Sequence, residues 1–265
     1  MTVLIGYIAA IIIGFTLGLI GGGGSILTVP ALVYLVGIDP VLSTAYSLFI
    51  VGAAALVGSF NYMRRGLVSY KTALVFAIPS LAAVFLTRRW IVPAIPDPLL
   101  QWGDFALAKD TAVMVFFAII MMLASFSMIR SGKPQPENSD RIHYNYPLIL
   151  LEGGIVGILT GLVGAGGGFL IIPALVLLAK LPMKLAIGTS LLIIAAKSLI
   201  GFTGDIGVQP INWSFLLIFA AIAVAGIIAG TYVSRFVPAQ KLKSGFGWFV
   251  LVMAGYILIN ELVLV

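Results

Sequence analysis

Two stretches of this chain place glycine where the backbone itself could do chemistry. GLIGGGGSILTVPALV spans residues 18–33 and GLVGAGGGFLIIPALV spans 161–176. The first holds Gly21, Gly22, Gly23, Gly24 and Ser25; the second holds Gly164, Gly166, Gly167 and Gly168. Each cluster is followed by a short apolar run with an early proline, a position where a helix tolerates proline. A glycine turn leaves its N–H groups unshielded. The helix starting after it adds orphan donors and the positive end of its dipole. The chemistry this suits is capture of an oxyanion without a fixed counter-charge. Nucleotide binding does not fit, because GxxxxGK[ST] needs a Lys that neither cluster has, and Phe169 breaks GxGxxG after Gly164 and Gly166. The competing reading is helix packing, since small residues let membrane helices approach closely. Isolated glycines such as Gly6, Gly14 and Gly226 are most simply read that way.

Side chains downstream add to either reading. Ser190, Lys197, Gly201 and Gly204 are spaced 7, 4 and 3, which places them on one helical face. Ser47, Ala54, Gly58 and Asn61 repeat that stripe in the first half. The serines serve either a substrate or a close-packed seam with hydroxyls bonded to backbone. Thr44 and Thr189 are weaker candidates near the same helix starts. Lys197 is the most informative single residue, because a charge in a membrane span costs about 2.5–3.5 kcal/mol on insertion scales. It either snorkels outward or faces a cavity, where it attracts an anion or releases a proton. Its counterpart is Ala54, so a packing role common to both halves does not account for it.

Other ionisable residues point elsewhere. Glu152 reads as a shallow acid or a proton-coupling carboxylate, and Asp205 ends a segment as a gate or cap. Asp39 before Pro40 reads as a helix N-cap. His143 is the only histidine, too few ligands for a metal site. With no cysteine, thiolate sites and disulfides are excluded, and no catalytic constellation, metal site or cofactor motif is expected.

The elements that must position these residues are membrane helices. The chain has 265 residues, 61% hydrophobic and 9% charged, against about 25% charged in a soluble domain. The two glycine stretches align without gaps at an offset of 143, with 10 of 16 positions identical. The register continues through Ser47 and Ser190, Leu48 and Leu191, Gly58 and Gly201, and Tyr70 and Trp213. The chain is therefore read as two homologous halves, residues 1–130 and 145–265, joined by a polar linker at 131–144. Apolar pieces cover 3–20, 26–37, 41–63, 70–90 and 105–129, then 145–163, 168–179, 183–203, 212–233 and 244–264. The second piece of each half has twelve residues, a helix of about 18 Å, which suits a half-helix in a hairpin.

Charge sets the expected topology. Arg64, Arg65, Lys71, Arg130, Lys133, Arg141, Lys180, Lys184, Arg235, Lys241 and Lys243 fall on one side. Only Arg88, Arg89 and Lys109 fall on the other. That bias makes the first side cytoplasmic, puts both termini outside and inverts the halves. It also assigns the +6 charge to ordinary topology, not to nucleic acid. The N-terminus lacks a basic region before its apolar run and is read as a retained segment. The expected fold is an all-α polytopic membrane protein with two inverted-topology repeats, each a Gly-broken helical hairpin plus three transmembrane helices. Inverted halves suit alternating access, in which a site between them opens to each side in turn.

GLIGGGGSILTVPALV and GLVGAGGGFLIIPALV, with GTSLLIIAAKSLIGF after the second, resemble the TauE/SafE family of sulfite and organosulfonate exporters over essentially the whole chain. The resemblance implies a transporter in the plasma membrane of a prokaryote that moves a small sulfur-containing anion outward, with a homodimer among its possible assemblies. The alternative is an uptake permease or channel for another small carboxylate or oxyanion. Carried over, the substrate region is Gly21 to Ser25 and Gly164 to Gly168, with Ser47, Thr189 and Ser190 on the following helices. Many relatives carry a His near the position of Thr203 or Gly204, and this chain has none there.

Overall fold

The computed structural model describes residues 2–102, 105–130, 146–164, 166–177, 181–234, 236 and 239–264. The linker with Lys133, Arg141 and His143 lies outside them, as do Lys180 and Arg235. The described chain is overwhelmingly helical. The first half runs from α1 (Thr2–Ile20) through a 3-10 helix (Gly22–Leu27), the single turn α2 (Thr28–Pro30) and a π-helix (Ala31–Val36) to α3 (Pro40–Arg64). Next comes α4 (Tyr70–Leu86), continued by a π-helical stretch (Thr87–Ile91) and α5 (Val92–Ala94). A small antiparallel hairpin, β1 (Leu100–Trp102) with β2 (Phe105–Leu107), precedes α6 (Lys109–Arg130). The second half holds α7 (Tyr146–Val163), α8 (Gly168–Leu177), α9 (Met183–Thr203), α10 (Trp213–Val233) and α11 (Ala239–Ile259), ending in a π-helical turn (Asn260–Leu264).

Four segments are long and apolar enough to cross a bilayer by length and composition: Pro40–Arg64, Tyr70–Ala94, Lys184–Thr203 and Trp213–Val233. The first and third are the inner pair, with 72% of the apolar window buried in each, against 33% and 44% for the other two. The short element in each half is present. In the second half it is α8, ten residues or about 15 Å long.

Local chemistry accounts for the element ends. Asp39 caps α3 as expected: its Oδ1 accepts from the N–H groups of Val41 at 3.0 Å and Leu42 at 3.3 Å, ahead of Pro40 at the first turn. The Asn212 side chain caps α10 by accepting from Phe215 N at 3.2 Å.

Contacts between the halves obey the 143-residue offset. A side-chain carbon on Gly14 would strike the backbone of Ala223, and one on Gly157 would strike Ser80, the counterpart pair. Gly18 lies against Ile227, and Gly161 against Val84 and Thr87. So α1 packs on α10 in the same way that α7 packs on α4. These glycines are small-residue seams, with no room for a Cβ. The inner helices α3 and α9 cross antiparallel: Leu48 lies beside Gly201, Gly52 beside Leu199 and Gly58 beside Leu191. Even single hydrogen bonds recur. Thr189 Oγ1 accepts from Ser69 N at 2.9 Å, and its counterpart Tyr46 Oη accepts from Asn212 N at 2.7 Å. In each case an inner helix of one half holds the residue that precedes a long helix of the other, α4 or α10.

Candidate functional site

The two glycine clusters meet, but they are built differently. In the second, Gly164 (φ 73), Gly166 (φ 64) and Gly167 (φ 62) all sit in the left-handed region that favours glycine, forming a turn ahead of α8. In the first, only Gly21 has positive φ, at 74. Gly22, Gly23, Gly24 and Ser25 lie inside the 3-10 helix, which corrects the expectation of a non-helical turn ahead of the short helix. Packing gives the reason. Gly22 touches the backbone of Gly168, and Gly24 faces the backbone of Leu17, so tight helical winding is what lets the strand of chain fit.

Around this junction the structure gathers most of the residues that the spacing singled out. Gly166 faces Val51 and Ser25, and Gly164 faces Thr44. Ser25 Oγ donates to Gly22 O at 2.7 Å. Ser47 is fully buried and its hydroxyl has no partner among the described residues. Its counterpart Ser190 is bonded back to Ile187 O at 2.8 Å, the seam arrangement. Thr189 serves the backbone contact to Ser69 described above. Asn61, near the far end of α3, approaches Thr231 Oγ1 at 3.5 Å and stands about 21 Å along the helix from Ser47.

Lys197 does not snorkel. It is fully buried, and its Nζ donates to Thr160 Oγ1 at 2.8 Å. A carbon added to Gly167 would lie 2.6 Å from that Nζ and against Thr160 Oγ1, so the amino group sits directly on the second glycine turn. An ammonium has three donors, and one hydroxyl is a weak partner for a charge out of water. Among the described residues no carboxylate pairs with it. The counterparts in the first half are Ala54, Leu17 and Gly24, an apolar version of the same junction. The buried amine and its hydroxyl partner therefore belong to one half only, while Ser25 and Ser47 come from the other.

Arg88 corrects an expectation of a different kind. Charge counting puts it on the less basic side, at the end of the apolar piece 70–90, yet it is fully buried on the π-helical stretch after α4. Its Nε donates to Asp205 Oδ2 at 2.7 Å, and its Nη2 lies 2.7 Å from Asp205 Oδ1. Its Nη1 donates to Thr44 Oγ1 at 2.8 Å and to Gly161 O at 3.2 Å. Sequence reasoning missed Arg88 and Thr160 as partners of Asp205 and Lys197. Their separations of 117 and 37 residues leave no local signal. Glu152 is half-buried on α7. No group of three or more potential ligands that could hold a metal occurs among the described residues.

Known proteins fit this architecture. The profile described as sulfite exporter TauE/SafE matches residues 6–257. A probable membrane transporter protein of Xylella fastidiosa (strain Temecula1) is 29% identical, over 93% of this chain and 91% of that relative. The probable membrane transporter protein YunE of Bacillus subtilis is 27% identical over 89% of each chain. The match covers both halves, the glycine junction and the inner helices, and the chain belongs to the sulfite exporter TauE/SafE family of membrane transporters.

Proposed function

We propose that this protein is a secondary transporter that exports a small sulfur-containing anion, sulfite or an organosulfonate, by alternating access between two inverted halves. Lys197 carries the reading. It is a fully buried ammonium with a single neutral partner among the described residues, set on a glycine turn whose backbone donors and helix start add positive potential. A small oxyanion supplies the charge this arrangement lacks, and binding it offsets the cost of holding the cation out of water. The substrate region is then Lys197, Thr160, the Gly166–Gly168 turn, Ser25 and the unpartnered hydroxyl of Ser47. Both termini lie outside, and the two-fold pattern of contacts supports exchange of roles between the halves. The test is flux of labelled sulfite or a small sulfonate in proteoliposomes, with and without a proton gradient. Saturable flux of a sulfur oxyanion is expected. Its absence, with flux of a small carboxylate in its place, replaces the substrate with the carboxylate.

A further inference from the structure

We infer that the Arg88–Asp205 pair is a gate that closes one end of the path between the halves, and that the protein stands here closed at that end. The inference rests on the transporter reading above. The pair joins four helices from both halves at one point. Arg88 follows α4, Asp205 follows α9, Thr44 lies on α3, and Gly161 O belongs to α7. Gly204 leaves just enough space, since a carbon there would sit 3.1 Å from Arg88 Cβ. Arg88 rides on a π-helical distortion, a feature often found at functional sites.

The offset of 143 residues supplies an internal control. The counterparts of Arg88, Asp205, Thr44 and Gly161 are Thr231, Tyr62, Ile187 and Gly18. At that opposite end the contacts among the described residues include Asn61 to Thr231 Oγ1 and Tyr62 Oη to Ser234 Oγ, both at 3.5 Å. One end is held by a side-on ion pair at 2.7 Å, fully buried, and among the described residues no ion pair holds the other. Opening the first end requires Arg88 and Asp205 to part and rehydrate. Opening the second requires neither.

The chain contains no cysteine, so single cysteines report access directly. Leu48→Cys lies behind the pair, and Leu191→Cys is its counterpart towards the other end; both leucines are fully buried. A membrane-impermeant thiol reagent is applied from each side, in cells and in inverted vesicles. Asp205→Asn and Arg88→Gln should raise labelling of Leu48→Cys from the Asp205 side at least tenfold, without raising labelling of Leu191→Cys from the other. The swap Arg88→Asp with Asp205→Arg should return the rate towards that of the native pair. Unchanged Leu48→Cys labelling, or an equal rise at both cysteines, overturns the gate, the latter meaning a loosened fold. Loss of folded protein in both single variants with a well-folded swap also overturns it, making the pair a structural staple. None of these readouts needs the substrate, so absence of sulfite flux leaves the accessibility result standing.

Discussion

The Nζ of Lys197 donates to Thr160 Oγ1 at 2.8 Å, with Gly167 pressed against both. This places a cation from α9 on the turn between α7 and α8 and ties the inner helix to the hairpin. Removing the two partners should have different consequences. Lys197→Met keeps the volume and removes the charge, so the fold should persist while anion affinity falls at least tenfold. Lys197→Arg should not rescue it, because a guanidinium is larger and branched where a carbon at Gly167 already finds no space. Thr160→Val leaves the ammonium without its hydroxyl and should cost about 1–3 kcal/mol of stability, read as thermal unfolding in detergent.

Gly167 and Gly207 separate backbone strain from lack of room. Both have positive φ, 62 and 80, so alanine strains either one by about 1–2 kcal/mol. A carbon at Gly207 meets nothing within 4 Å, whereas at Gly167 it meets Lys197 and Thr160. Gly207→Ala should therefore transport normally with a small loss of stability. Gly167→Ala should lose transport. Equal transport in the two variants means that the turn is not part of the anion site.

The seams predict matched losses. Gly14→Val drives a side chain into Ala223, and Gly157→Val drives one into Ser80. Overpacking of this kind costs about 1–3 kcal/mol. The two variants should lower the unfolding temperature by similar amounts, because the contacts are counterparts. A large difference between them contradicts the two-fold relation of the halves.

The paired hydrogen bonds should behave alike too. Tyr46→Phe frees Asn212 N, and Thr189→Val frees Ser69 N. Each strands one partly buried donor at the start of a long helix, at a cost of about 1 kcal/mol. Hydrogen exchange of the Ser69 and Asn212 amides should quicken in the respective variant and not in the other.

Much of this architecture was legible in the chain because it is written locally and twice. The offset of 143 residues, the glycine stretches, Asp39 before Pro40 and the short second element are all visible at close range, and the structure contains each. What escaped is contact across the fold. Arg88 counts in the sequence only as a charge on the less basic side, because its acceptor lies 117 residues away. Lys197 kept two readings because burial by α7, which decides between them, has no sequence signature. The 3-10 winding of Gly22–Leu27 escaped for a related reason: glycine permits both a turn and a helix, and only the approach of Gly168 and Leu17 selects one. The β1–β2 hairpin escaped because Leu100–Trp102 falls between apolar pieces and Phe105–Leu107 falls within the piece 105–129, and three-residue strands carry too little periodicity to register.

The central claim is that a buried cation on a glycine turn binds the transported anion. The most direct measurement is concentration-dependent uptake of labelled sulfite into proteoliposomes holding either the native protein or Lys197→Met, each confirmed as folded. Saturable flux by the native protein, and at least a tenfold weaker apparent affinity in the variant, is the expected result. Equal affinity and equal pH dependence in the two would contradict it.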